Sequence, residues 1–257
     1  MTGALRVFEY QLMIYRRIWR ASIFSTFLSP VLFLTAMGIG LGTFVDQSGR
    51  GALGAVSYAA FLAPGLLAGQ AMQTAGFEST YPIMGAIIWD RTYHGMLATP
   101  ITVPGIVFGQ LAWVALRLTL VATVFLGVMV VFGLVGSPLA VLAIPVVVLT
   151  GLAFAAPIMA FAATQKNDQG FSALFRFGLT PMFLFSGTFF PIEQLPGKLQ
   201  IVAEILPLHH GVALARHLVL GNEADRSNQL AHLIVLGAYV VVGTVAALYT
   251  FRRSLVR

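Results

Sequence analysis

The chain has 257 residues, of which 58% are hydrophobic and 9% charged, against roughly 25% charged in an average soluble protein. That composition excludes a water-soluble fold, and the lack of cysteine excludes disulfides, thiolate metal sites and cysteine nucleophiles. The net charge of +6 would suit nucleic acid or an anionic surface, so the placement of the basic residues has to decide.

From the N-terminus, residues 1–21 set Leu5, Phe8, Leu12, Tyr15 and Trp19 at helical spacing, with Arg6, Arg16, Arg17 and Arg20 largely elsewhere around the helix. This pattern predicts an amphipathic helix in the cytoplasmic interface, held by apolar insertion and by anionic membrane lipids. A plain positive flank to the first span is the simpler alternative. Crossing the hydrocarbon core takes about 20 apolar residues. Uncharged runs of 25, 27 and 25 residues separate Arg20 from Asp46, Arg50 from Glu78 and Arg226 from Arg252. A run of 48 between Arg117 and Lys166 is interrupted by Gly133, Gly136, Ser137 and Pro138, turn formers that divide it into a hairpin of two crossings. A further apolar run, from Phe171 to Ile192, carries only Arg176, near its start. The expected fold is an all-α integral membrane protein in one domain, with transmembrane helices at 22–44, 56–77, 104–133, 139–163, 173–191 and 230–251.

Counting Lys and Arg on alternate sides puts ten with both termini and four on the opposite side. Short cytoplasmic loops retain positive charge, so both termini are expected to be cytoplasmic in a multi-pass protein of the cell (plasma) membrane. The basic residues sit at membrane boundaries and form no continuous stripe, which argues against nucleic acid. Arg117 falls inside the third span, roughly 20 Å from its start. A charge there must be paired or wetted. Two readings stay open: contact with an anionic substrate headgroup or a partner carboxylate, or a structural bond to helix-end carbonyls. Glu78, at the end of the second span, is the nearest acid in sequence, at a shallower expected depth.

Two segments outside the spans carry motifs. A cytoplasmic loop, 88–98, contains Trp89, Asp90, Arg91, Tyr93, His94, Met96 and Leu97 and ends in Leu97-Ala98-Thr99-Pro100. On the outer side, Ser186-Gly187-Thr188-Phe189-Phe190-Pro191-Ile192-Glu193-Gln194-Leu195-Pro196 is followed by Leu206-Pro207-Leu208-His209-His210. Pro191 and Pro207 break residues 191–217 into a short re-entrant helical pair. His209, His210 and His217 have no acidic residue at ligand spacing within a helix turn, so no metal site is expected.

These two motifs, in this order and placement, resemble the ABC-2 type transporter permeases, which include daunorubicin-type drug-resistance exporters and nodulation lipo-oligosaccharide exporters. Relatives often carry a Glu-Arg-Glu run before the first motif, where this chain has only Asp90 and Arg91. The resemblance implies a permease subunit of an ATP-binding-cassette exporter, paired with a second permease, either an identical copy or a related chain. It implies that 88–98 is the coupling helix docked on the ATPase, and that Phe189, Phe190, Pro191, Pro207, His209 and His210 belong to an outer gate. No Gly-x-x-x-x-Gly-Lys-Ser/Thr loop occurs, and neither Lys166 nor Lys198 is followed by Ser or Thr. This chain is therefore expected to bind no cofactor and to catalyse no reaction itself, with ATP and Mg held by a separate cassette subunit. The cargo would be a drug, lipid or glycolipid. The rival reading is an ion-coupled secondary transporter or channel, for which several ionisable residues near the midplane would be expected.

Overall fold

In the computed structural model, which describes residues 2–41, 57–221 and 228–256, every regular element is helical and no strand occurs among the described residues. Three helices are long and apolar enough to cross a membrane: Val103–Val131, Pro138–Ala162 and Gln229–Leu255. They fall on the expected crossings at 104–133, 139–163 and 230–251.

The other three expected crossings look different. Helix α1 (Thr2–Phe33) continues without a break at residue 21 and passes into π-helical turns at Leu34–Leu41. The amphipathic helix expected at 1–21 is thus not a separate element, and the end of the 22–44 span lies outside the described residues. The start of α1 packs on another helix across a small-residue seam. A methyl group on Gly105 would sit 3.3 Å from the backbone of Gly3, and one on Gly109 would lie 2.6 Å from Val7 Cβ. The backbones therefore approach closely, and α1 runs parallel to the first turns of α4, introduced below.

Helix α2 (Tyr58–Glu78) starts where Ser57 Oγ accepts the Ala60 N–H, and it is buried on most sides. Its Gly65 packs on the backbone of Thr188 and its Gly69 on the Phe183 ring. The Gly-x-x-x-Gly spacings at 65/69 and 105/109 thus serve contacts within one subunit. Gly42, of the spacing at 38/42, lies outside the described residues.

After a helical turn at Tyr81–Met84 and a π-helical stretch at Gly85–Trp89 comes α3 (Thr92–Leu97). Helix α4 (Val103–Val131) opens on Thr102 with Pro104 in its first turn, a position where the missing N–H costs nothing. Gly133, at φ +67, ends the run that follows α4, and Ser137 Oγ accepts the Leu139 N–H to start the short 3₁₀ turn before α5 (Ala143–Ala162). The crossing expected at 173–191 is a composite, with a helical turn at Gln169–Ala173, a π-helical turn at Leu174–Leu179 and α6 (Thr180–Phe185), after which the backbone is irregular.

Helices α7 (Gly197–Ile205) and α8 (Pro207–Leu220) meet at Leu206, whose extended backbone and following proline stop one helix and begin the next. Tyr239 Oη donates to Ile205 O at 3.0 Å. Tyr239 is roughly 15 Å along α9 (Gln229–Leu255) from its start. The far end of α8 is held at the α4–α5 turn, where Gly136 and Ser137 N–H groups donate to Val219 O at 2.9 and 3.1 Å. The α7–α8 elbow therefore sits well down the length of α9, while Leu220 ends level with the turn.

Candidate functional site

The segment after α2 differs from the expected aromatic docking face in one respect. Trp89 is 60% exposed, and Asp90, Arg91 and His94 are exposed too, but Tyr93 is 1% exposed. Its Oη lies 3.4 Å from Gln110 Oε1 and its ring is 6.0 Å from that of Phe251. Burial, with Tyr10 nearby, pushes the Tyr93 phenol well above its usual range. Tyr93 therefore ties α3 to the core and is not available to a partner. Met96 and Leu97 are half-buried against that core. Arg91 adopts φ +50, a left-handed conformation costly for a side chain with Cβ, and this turn is what splits Gly85–Trp89 from α3. Thr99 Oγ1 donates to Met96 O at 2.6 Å, which closes α3 and accounts for the threonine of the Leu-Ala-Thr-Pro motif.

Glu78 and Arg117, which differ in expected depth, meet in the folded chain. Arg117 Nε donates to Glu78 Oε1 at 2.9 Å, and Trp113 Nε1 donates to Glu78 Oε2 at 3.1 Å. The Arg117 guanidinium also lies 4.8 Å over the Tyr15 ring, whose edge meets Trp113 at 5.4 Å. One turn before Trp113 on α4, Gln110 accepts from Gln11 at 2.7 Å and donates to Glu78 O at 3.4 Å. The pair forms because α2 ends beside the middle of α4, so a residue at a helix terminus reaches one in a helix interior. A cavity of about 470 Å³ adjoins the pair, bounded by α1, the end of α2, the Tyr81–Thr92 stretch and α4.

In the segment after α6, the Ser186-Gly187-Thr188 turn is fully buried or nearly so. Gly187 has φ +82, where a side chain would be strained. Its carbonyl accepts from Arg216 Nη2 at 2.8 Å, Arg216 Nε donates to Phe61 O at 3.3 Å, and the guanidinium lies 3.8 Å over the Phe61 ring. Arg216 thus clamps α8 to α2 and to the turn. Phe189 stacks edge-on with Phe183 at 5.1 Å and accepts from Tyr58 Oη at 3.3 Å through its carbonyl. Phe190 and Pro191 are half-buried and Pro207 is buried at the elbow.

His210 is buried, with its Nδ1 2.6 Å from Nδ1 of His232 on α9, and His209 packs on both rings. In the 14-residue helix α8, burial first and then His209 and His232 push the His210 imidazole below the usual histidine range. Among the described residues no three ligating side chains converge on a metal position.

Sequence reasoning missed Gln110, Trp113, Tyr15, Arg216 and His232. A signal existed for the first two, because 110, 113 and 117 recur at helical spacing on one face of α4. Nothing local marks Arg216 or His232, since their partners come from distant segments.

The sequence matches the family model described as ABC-2 type transporter over residues 6–220. It is 36% identical over 256 residues to "Nodulation protein J" of Rhizobium leguminosarum bv. viciae, covering 98% of this chain and 95% of that protein. It is 33% identical over 251 residues to the protein of the same name from Rhizobium meliloti (strain 1021), covering 98% and 93%. The one from Neorhizobium galegae is 32% identical over 256 residues, covering 97% and 92%. A likeness spread over both helix-linking motifs and the apolar helices between them makes this multi-pass membrane protein a member of the ABC-2 type transporter family.

Proposed function

We propose that this chain is the membrane-spanning permease of an ATP-binding-cassette exporter that moves a hydrophobic or amphipathic cargo out of the cell. Energy comes from ATP and Mg held by a separate cassette subunit, and a second permease, identical or related, completes the path. The observation that carries this reading is the family match over residues 6–220 of a chain with no phosphate-binding loop.

The exposed face formed by Trp89, Arg91 and His94 suits a cassette groove, with one large aromatic anchor and a polar rim. Tyr93 acts behind that face, linking it rigidly to Gln110 and α4, so a movement of the cassette is carried into the helices. The Ser186–Pro191 turn, clamped by Arg216, serves as the outer closure, and the α7–α8 elbow beside Tyr239 serves as the re-entrant element beneath it. Both termini lie in the cytoplasm and the protein resides in the plasma membrane, in contact with its lipids.

The test is gentle purification from the native host, identification of co-purifying chains, and assay of vanadate-sensitive ATPase. A stoichiometric partner with a phosphate-binding loop and measurable turnover supports the exporter. Repeated isolation of the chain alone, without ATPase, would favour an ion-coupled transporter.

A further inference from the structure

We infer that the cavity between α1, the end of α2, the Tyr81–Thr92 stretch and α4 admits the head of a cationic amphiphile, and that the coupling segment senses its occupancy. This deepens the exporter reading and rests on it for the direction of movement.

The cavity holds about 470 Å³, within the range of small-molecule sites and enough for a compact head with a few methylenes. Three charged side chains line it, Glu78, Asp90 and Arg117, so its charge is net negative. Arg117 is already committed, its Nε 2.9 Å from Glu78 and its guanidinium over Tyr15. Asp90 makes no side-chain hydrogen bond or ion pair among the described residues. An anionic head would meet an uncompensated carboxylate and a cation already neutralised.

Six aromatic side chains also line it, among them Tyr10, Tyr81 and Trp113. Ring faces attract organic cations and lose little by excluding water, unlike a bare carboxylate pair. Two exposed apolar side chains, Ile14 and Phe77, also line the cavity. They offer a tail an apolar surface while the head enters.

The position of Asp90 gives the site a mechanical consequence. Asp90 lies between exposed Trp89 and the left-handed Arg91, and Thr92 and Tyr93 also line the cavity. A head that engages Asp90 therefore restrains the same residues that present Trp89 to a cassette. A ligand shifts such an equilibrium only by its differential contact with the two states, and here that contact is Asp90 itself.

The experiment places the full-length chain in zwitterionic lipid nanodiscs, with Trp19→Phe and Trp89→Phe so that Trp113 alone fluoresces. Three probes share a dodecyl tail and are kept below their micellar concentrations: dodecyltrimethylammonium, dodecyl maltoside and dodecyl phosphate. The expected result is saturable quenching by the ammonium probe at about tenfold lower concentration than by either other head, and an about tenfold loss of that affinity in Asp90→Asn. Asp90 is exposed, so this variant folds. Equal response to the three heads, preference for maltoside or phosphate, or an unchanged Asp90→Asn would overturn the inference. The outcomes separate it from the exporter reading. Cassette ATPase without head selectivity defeats the cationic site alone, whereas selective binding by a chain that never yields a cassette or ATPase upholds the site and defeats the exporter.

Discussion

The ion pair between Glu78 and Arg117 can be weighed by a double-mutant cycle. Arg117→Met keeps the length of the side chain and removes its charge, leaving a carboxylate whose side chain is 20% exposed and which still accepts from the Trp113 N–H. Glu78→Gln keeps an oxygen for Trp113 and removes only the negative charge facing a guanidinium that is 13% exposed. Breaking a fully buried pair costs about 3–5 kcal/mol, and a single charge-assisted hydrogen bond contributes about 1.5–3 kcal/mol. With this residual exposure we expect about 2–3 kcal/mol for Arg117→Met and about 1–2 kcal/mol for Glu78→Gln. The double variant should cost less than their sum by about 1.5–2 kcal/mol, because the second substitution removes the charge that the first left stranded. Reversible unfolding in mixed lipid–detergent micelles, followed by circular dichroism, measures all four corners. A coupling energy under about 0.5 kcal/mol, which is the usual additivity error, would refute the pairing. An Arg117→Leu protein that exports at the normal rate would show further that the pair serves structure and not transport.

Four other outcomes follow from the same geometry. Trp89→Ala should leave stability nearly unchanged while lowering permease-stimulated ATPase, whereas Tyr93→Ala should destabilise the fold by about 3–5 kcal/mol, as large-to-small changes of buried aromatics do. Unfolding and turnover measured on both variants separate the two roles. Gly243→Ala would place a methyl 2.5 Å from Pro157 Cδ and should cost about 1–3 kcal/mol, while Gly127→Ala, with nothing within 4 Å, should be neutral or stabilising by up to about 1 kcal/mol on unfolding. Arg216→Lys loses the fork that reaches both Phe61 O and Gly187 O. Because the chain has no cysteine, Thr188→Cys can report on the turn, and an impermeant maleimide should label it about tenfold faster in the Arg216→Lys background, the rate expected if one hydrogen bond of about 1.4 kcal/mol is lost. His210 is held neutral in the fold, at about 4, below the ordinary histidine value of about 6.5. The unfolded chain therefore binds the proton first as pH falls, so this contribution to stability is complete above about 6.5 and is lost from there down towards about 4. A pH series of unfolding midpoints should show that acid limb in the wild type and lose it in His210→Gln.

Membrane residence, helical class and three of the crossings were legible in the linear order of residues, because a bilayer selects for long apolar runs and their length alone identifies them. The hairpin between α4 and α5 was legible too, since Gly133 and Ser137-Pro138 act on their own neighbourhood. The motifs at Leu97–Pro100 and Ser186–Pro196 pointed to the ABC-2 type transporter family without showing how their residues pack. Other features required chain segments far apart in sequence to meet. The burial of Tyr93 depends on Gln110 and Phe251, the neutralisation of Arg117 depends on where α2 stops against α4, and the buried glycine turn at Gly187 depends on an arginine from α8. The close seating of the start of α1 on α4 likewise depends on Gly105 and Gly109 across the seam, not on its own amphipathic pattern. Apolar spacing tells which face of a helix is covered, but it is silent on what covers it, and in a bilayer, where lipid and protein are equally apolar, only the packed structure distinguishes the two.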